Sequence, residues 1–218
     1  VDLGIDLGTA TVVVYDSTQG IVLKEPSVVA INTKTDEVLS VGEEAYRMLG
    51  RTPDKIRAVR PLQDGVISDF NSTEKMIQSF LRKVGGNQII RPRVAICVPS
   101  GITEVESRAV VDAAVAAGAR KVYLIEEPVA AALGAGIDIS KPNGHIIVDI
   151  GGGTTDIAVL SLNGVVCKTS LKVAGDKFDQ AIVRYVRSTY DVLIGEKMAE
   201  RLKMEIGSVF FNEDEDIS

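Results

Sequence analysis

One hairpin plan occurs twice in this chain, and it constrains the fold more than any other feature. The second copy runs from His145 to Leu160. Ile146, Ile147 and Val148 are a β-branched run of the kind an enclosed strand needs, and Asp149 puts a carboxylate at the strand tip. Gly151, Gly152 and Gly153 then strip every side chain from the turn, so backbone N–H groups can approach an anion closely. Thr154 and Thr155 add hydroxyl donors, and Asp156 adds a second carboxylate. Donors for phosphate beside acids for a hydrated cation are the requirements of a Mg-nucleotide site. Taken alone, the stretch also fits a glycine-rich β-hairpin whose glycines serve turn geometry only.

The first copy, Leu3 to Tyr15, changes that balance. Asp6 matches Asp149, Gly8 matches Gly151 and Thr11 matches Thr154, each 143 positions apart. Thr9 and Ala10 complete the first turn. Each copy continues into an apolar strand and a polar turn with glycine. Internal similarity of this kind implies two related lobes, each offering a phosphate-facing hairpin to a ligand held between them.

Composition sets outer bounds. A chain of 218 residues with 45% apolar and 25% charged residues can bury one large core or two modest ones. The net charge of −6 argues against general nucleic-acid binding. His145 is the only histidine, which excludes His-based triads and His-rich metal sites. Cys97 and Cys167 fall in apolar strand patterns and read as buried free thiols of a reducing compartment, a lone disulfide being the unsupported alternative. No run approaches the length of a membrane span, and no signal peptide is visible.

Along the chain, residues 1–32 read as three strands, with Pro26 marking an edge or a strand start. Residues 33–60 are short, irregular and locally basic (Arg47, Arg51, Lys55, Arg57, Arg60), which suits a solvated face. Asn71-Ser72-Thr73-Glu74 has the form of a capping box before a helix carrying Met76, Ile77, Phe80, Leu81 and Val84. Ile89 and Ile90 then lie between Gly85-Gly86 and Arg91-Pro92-Arg93. They read either as a strand start packing into the core or as a membrane-inserting loop with arginines near anionic headgroups.

Val94–Val98, a helix capped by Thr103 and Glu106, and Val122–Ile125 form a strand–helix–strand unit with a parallel pair. Glu126-Glu127-Pro128 sits at the carboxyl end of the last of these strands, where α/β sheets bind ligands. Glu127 either caps the following helix or orients or deprotonates a water attacking a γ-phosphorus. Phe178, Ile182, Tyr185 and Val186 mark an amphipathic helix. In the last helix, Glu200 and Lys203 stand three apart on one face, as in a surface ion pair.

The strings GIDLGTA, GIVLKEPSVVAI, VGEEAYRMLGRTP, RPLQDGVISDF, RPRVAICVPSGITEVE, VYLIEEP, DIGGGTTDIAV and LIGEKMAERLKMEIGSVF span nearly the whole chain. They resemble the MreB/Mbl family of bacterial actin-like cell-shape proteins, within the actin, sugar-kinase and heat-shock-chaperone ATPase superfamily. The resemblance implies an α/β, actin-like ATPase fold with ribonuclease H-like lobes and mixed five-stranded sheets flanked by helices. The family's chains continue past Ser218, so a C-terminally incomplete piece is expected. The implied domains are a first-lobe core (1–32 and 61–140), a small subdomain (33–60), a second-lobe core (141–178) and the start of its small subdomain (179–218).

The resemblance further implies an ATP-dependent filament subunit. Mg²⁺ would be held through water by Asp6 and Asp149, and phosphates by Gly8–Thr11 and Gly151–Thr154. Glu127, with Thr154, would position the attacking water, Glu126 being the fallback. Glu200 and Lys203 would contact adenosine. Ile89 and Ile90 would insert into the inner face of the bacterial membrane, where filaments guide the cell-wall elongation machinery from the cytoplasmic side. The chain departs from the family's pattern at Thr11-Val12, where relatives usually have Asn-Thr, and at Ala174, where many have glycine. A kinase or chaperone ATPase of the same superfamily, and a non-catalytic actin-fold module, are the alternatives.

Overall fold

The computed structural model describes residues 2–49, 55–63, 65–85 and 91–209. The chain opens with β1 (Asp2–Leu7), β2 (Thr11–Asp16) and β3 (Gly20–Pro26). It then crosses into β4 (Val29–Asn32), β5 (Val38–Val41), α1 (Glu43–Met48) and β6 (Ile56–Val59). The short strands β7 (Leu62–Gln63) and β8 (Val66–Ile67) precede α2 (Phe70–Gly85). Next come β9 (Arg93–Val98), α3 (Glu104–Ala116), β10 (Lys121–Glu126) and α4 (Glu127–Gly134). The last sheet is β11 (His145–Ile150), β12 (Thr155–Ser161) and β13 (Gly164–Leu171), followed by α5 (Gly175–Tyr190) and α6 (Glu196–Ile206).

The chain divides into two compact units, Val1–Lys172 and Val173–Ser218. In the first, a mixed five-stranded sheet has the order β10-β9-β1-β2-β3. β1, β9 and β10 are parallel, so Asp6 stands beside Cys97, Cys97 beside Ile125, and Val98 beside Glu126. Three strand tips therefore meet at one edge, as parallel strands with a crossover helix require. Leu3, Ile5, Val12, Val14, Val94 and Ile96 share one core with Met76, Ile77 and Phe80 of α2 and with Val110, Ala113 and Ala114 of α3. The alanines let α3 approach the sheet. Each large side chain fully buried here contributes about 1.5–3 kcal/mol.

The other sheets are smaller. β5-β4-β6 is antiparallel and packs on α1 through Val28, Ala30 and Ala45. β11-β12-β13 is also antiparallel. Its inner face, with Ile147, Ala158, Leu160 and Val165, packs on Val129 and Ala132 of α4 and on Ile137 and Ile139.

Several expectations need correcting. Asp69 caps α2, not the Asn71–Glu74 box: its carboxylate accepts from the Ser72 N–H (3.1 Å) and from the Ser72 hydroxyl (2.7 Å). An aspartate one residue before the helix reaches the third amide directly, so the helix starts earlier than its apolar pattern. The third of the strands expected in residues 1–32 is two, β3 and β4, broken at Ser27-Val28, where the chain leaves one sheet for another. β11 is not an enclosed strand: Ile146, Val148 and Ile150 are 71%, 53% and 61% exposed, because α4 covers only the opposite face. Cys97 is half-buried and Cys167 exposed; both are free thiols.

The Thr103–Glu106 capping box is present in full, with the Glu106 carboxylate accepting from the Thr103 N–H at 2.8 Å. In the second unit α5 packs on α6. Among the described residues, no helix is long and apolar enough to cross a membrane.

Candidate functional site

Both glycine turns lie in the first unit, and they meet. A Cβ built on Gly152 would sit 2.7 Å from the Cβ of Ala10 and 3.3 Å from its backbone nitrogen. The first turn is held by its carbonyls: the Ser27 hydroxyl donates to the Gly8 carbonyl, and the Ser27 N–H donates to the Ala10 carbonyl at 3.0 Å. Gly8 has no room for a side chain, since its Cβ would lie 2.6 Å from the Thr11 carbonyl oxygen. The second turn is closed by the Gly151 N–H donating to the Thr154 carbonyl at 2.9 Å.

Gly65 joins the two turns, a role that its sequence neighbourhood did not reveal. Its N–H donates to the Thr9 hydroxyl at 3.1 Å. Its backbone has φ +76°, and an added Cβ would lie 2.8 Å from Pro99 and 3.0 Å from the Thr154 methyl. Only glycine meets both demands at no steric cost. The Asp64-Gly65 dipeptide is a legible turn signal, but nothing local says that the turn faces Thr9. Thr9, Thr154 and Thr155 are all buried.

The acids converge beside these turns. Asp6 is the penultimate residue of β1, Asp149 lies opposite Asp156 across the β11–β12 ladder, and Glu127 opens α4. Glu127 therefore sits inside the first helical turn, not at the cap, which is Glu126. Burial, followed by the charges of Asp156, Asp6 and Asp149, pushes the Glu127 carboxyl up to about 8. Burial and then Asp149 raise Asp6, which keeps an exposed face; burial and then Asp156 raise Asp149. Burial, with Asp6, Glu127 and Asp149, pushes the Cys97 thiol up to about 12, so it stays protonated and is not a nucleophile. Carboxylates raised by burial and by neighbouring acids form a site of unbalanced negative charge, which a cation relieves.

Asp156, opposite Asp149, also has a backbone partner. It is wholly buried, and its Oδ1 accepts from the Ser100 N–H at 2.8 Å. It thereby ties β12 to the loop after β9.

No group of three Asp, Glu, His or Cys side chains among the described residues could hold a metal ion directly. Asp6 and Asp149, both raised and the first partly by the second, fit an ion held through its waters, as Mg²⁺ usually is.

A family profile described as MreB/Mbl protein matches residues 1–218. The chain belongs to the MreB/Mbl family. It is 56% identical over 215 residues to the cell shape-determining protein MreB of Escherichia coli (strain K12), covering 96% of this chain and 62% of that one. Two crystal structures of MreB5 from Spiroplasma citri superpose closely. The one bound to ADP has a TM-score of 0.91 at 43% identity, covering 97% of this chain and 64% of that chain. The one bound to AMPPNP has a TM-score of 0.87 at 44% identity, covering 96% and 63%. The fold is thus actin-like, and this MreB/Mbl chain spans a little under two thirds of the length of these relatives.

The remaining candidates lie elsewhere. Ile89 and Ile90 fall outside the described residues. Arg93 is committed to Asp2 through a two-point fork, Nε at 2.7 Å and Nη2 at 2.6 Å. Glu200 and Lys203 belong to the second unit, where Lys203 pairs with Asp179 of α5 at 2.9 Å and donates to the Gly175 carbonyl at 3.3 Å. The pairing of Lys203 with an acid on a neighbouring helix is a tertiary contact that the three-residue spacing with Glu200 did not reveal.

Proposed function

We propose that this chain is the nucleotide-gripping part of an MreB/Mbl filament subunit, a slow ATPase that works at the inner face of the bacterial membrane and organises cell-wall synthesis. The observation that carries the reading is the direct apposition of the two glycine turns beside Asp6, Asp149 and Glu127. Relatives crystallised with ADP and AMPPNP support it. Backbone N–H groups of Gly8–Thr11 and Gly151–Thr154 bind the phosphate oxygens from two sides. Asp6 and Asp149 would hold Mg²⁺ through its waters, and the ion would offset the negative charge of the phosphates and of the acids.

Glu127, fixed at the start of α4, orients the attacking water and in its ionised form takes up the water's proton, with the Thr154 hydroxyl as second guide. Loss of the γ-phosphate removes part of what the two turns grip. Hydrolysis thereby alters how the turns close and so how subunits meet in a filament.

Two measurements test this on the longest natural chain that carries the sequence. Titration with Mg-ATP is expected to give a Kd of about 50 µM or tighter, and Asp149→Ala to weaken it at least about tenfold. A flat titration ends the nucleotide reading. The chain is also expected to pellet with anionic liposomes, and Ile89→Asp with Ile90→Asp to abolish pelleting. Undiminished pelleting of the double variant removes the loop from the proposal.

A further inference from the structure

The second sheet leans on the first along a seam of three contacts, all on one face. Asp156, Ala158 and Leu160 of β12 point inward, and the register places Ser170 beside Asp156 and Lys168 beside Ala158. These inward positions of β12 and β13 meet the carboxyl-terminal ends of β9 and β10. Asp156 accepts from the Ser100 N–H. Ser170 faces Gly101, where an added Cβ would be 3.1 Å from the serine Cβ. Lys168 reaches the last residue of β10, its Nζ donating to Glu126 Oε1 at 2.8 Å.

The third contact is the informative one. Glu126 is the N-cap of α4, yet its side chain caps nothing. A glutamate there is free to serve the helix's first amides, but Lys168 draws its carboxylate across to β13. The second oxygen, Oε2, is buried without a partner. The pair is half open to solvent, at 41% and 32% exposure. Such a pair adds little to stability, typically ~1 kcal/mol or less. Its value lies in where it puts the backbone, because the next residue is Glu127.

We infer that the Lys168–Glu126 ion pair is a positioning latch. It couples the placement of the second sheet to the first residue of α4, and so sets where Glu127 stands relative to the attacking water. This rests on the nucleotide reading above. Closure of the two turns on a triphosphate moves β13 with its sheet, and Lys168 carries that movement to the residue next to Glu127. Glu127 itself touches the water; Lys168 and Glu126 act through it. A displacement of about 1 Å at such a group is enough to change a rate by up to ~100-fold.

The test is single-turnover hydrolysis and nucleotide affinity, measured on the longest natural chain carrying this sequence, for Lys168→Met, Glu126→Gln, and Lys168→Glu combined with Glu126→Lys. Each single variant is expected to lower the hydrolysis rate about tenfold while leaving nucleotide Kd within about twofold and the melting temperature within about 2 °C. The reversed pair is expected to recover most of the rate, which a purely structural role does not predict. Lys168→Arg, which keeps the charge and the fold, serves if a single variant does not fold, and is expected to retain at least about half the rate. Wild-type rates in both single variants, with nucleotide bound normally, overturn the latch and leave the nucleotide reading standing. A wild-type chain that binds no nucleotide overturns both.

Discussion

Glu127→Gln is expected to lower nucleotide hydrolysis by roughly 100- to 10,000-fold while raising the melting temperature of the nucleotide-free protein at pH 8. The loss of rate follows from the proposed role, because glutamine cannot take the water's proton as a carboxylate does. The gain in stability follows from the carboxyl's environment. Its ordinary value is 4.5, and the fold pushes it up to about 8 through burial and the charges of Asp156, Asp6 and Asp149. Below 4.5 the group is protonated in both folded and unfolded chains and costs nothing. Between 4.5 and about 8 the unfolded chain has released its proton and the folded one has not, so stability falls as pH rises, and above 8 the penalty is complete. Asp6 and Asp149, also raised, contribute in the same direction.

Glutamine removes the Glu127 share of that penalty, roughly 2–4 kcal/mol at pH 8 and a small fraction of it near pH 5. Thermal melts of both proteins at the two pH values, with chelator and without nucleotide, measure it. Equal melting at pH 8 contradicts the electrostatic account of the site.

Gly152→Val is expected to weaken Mg-ATP binding by roughly 10- to 100-fold. The neighbours that a side chain would meet are the Cβ, nitrogen and Cα of Ala10, at 2.7, 3.3 and 3.5 Å. None is the end of a flexible side chain, so the clash is relieved only by moving one turn away from the other. Separating them opens the two-sided grip on the phosphates. Gly85→Ala is the control: it has open space around it, and its affinity is expected to match the wild type. Calorimetric titration of the two variants distinguishes the cases, and wild-type affinity in Gly152→Val refutes the claim that the contact between the turns shapes the site.

Local patterns account for much of the fold. The β9–α3–β10 unit was legible because its strands are β-branched runs and its helix opens with a capping box whose partners are three residues apart. The buried face of α2 was legible from helical spacing, although Asp69, outside the apolar pattern, makes the cap. β11 misled because a run of β-branched residues reads the same whether one or both of its faces are covered. Cys167 misled for the same reason.

The site divides along the same line. Each turn with its acid was visible locally, since a tight turn that admits an anion needs glycines in sequence. Gly65 was not, because its importance comes from Thr9 and Thr154, far away along the chain. Lys168 was not, because a lysine on a strand has no signature until the element opposite it is known.

By itself, then, the sequence determined that this chain carries two acid-tipped glycine turns on related hairpins, a glutamate before a proline-started helix, and the strings of the MreB/Mbl family. These are properties of neighbouring residues, and chain geometry enforces them over a few bonds. Only the tertiary structure decided that Gly152 rests on Ala10, that Gly65 bridges the two turns, that Asp156 is sealed against Ser100, and that Lys168 holds Glu126. Such contacts join residues tens of positions apart or more, and their distances are set by how sheets and helices pack, which spacing along the chain does not encode.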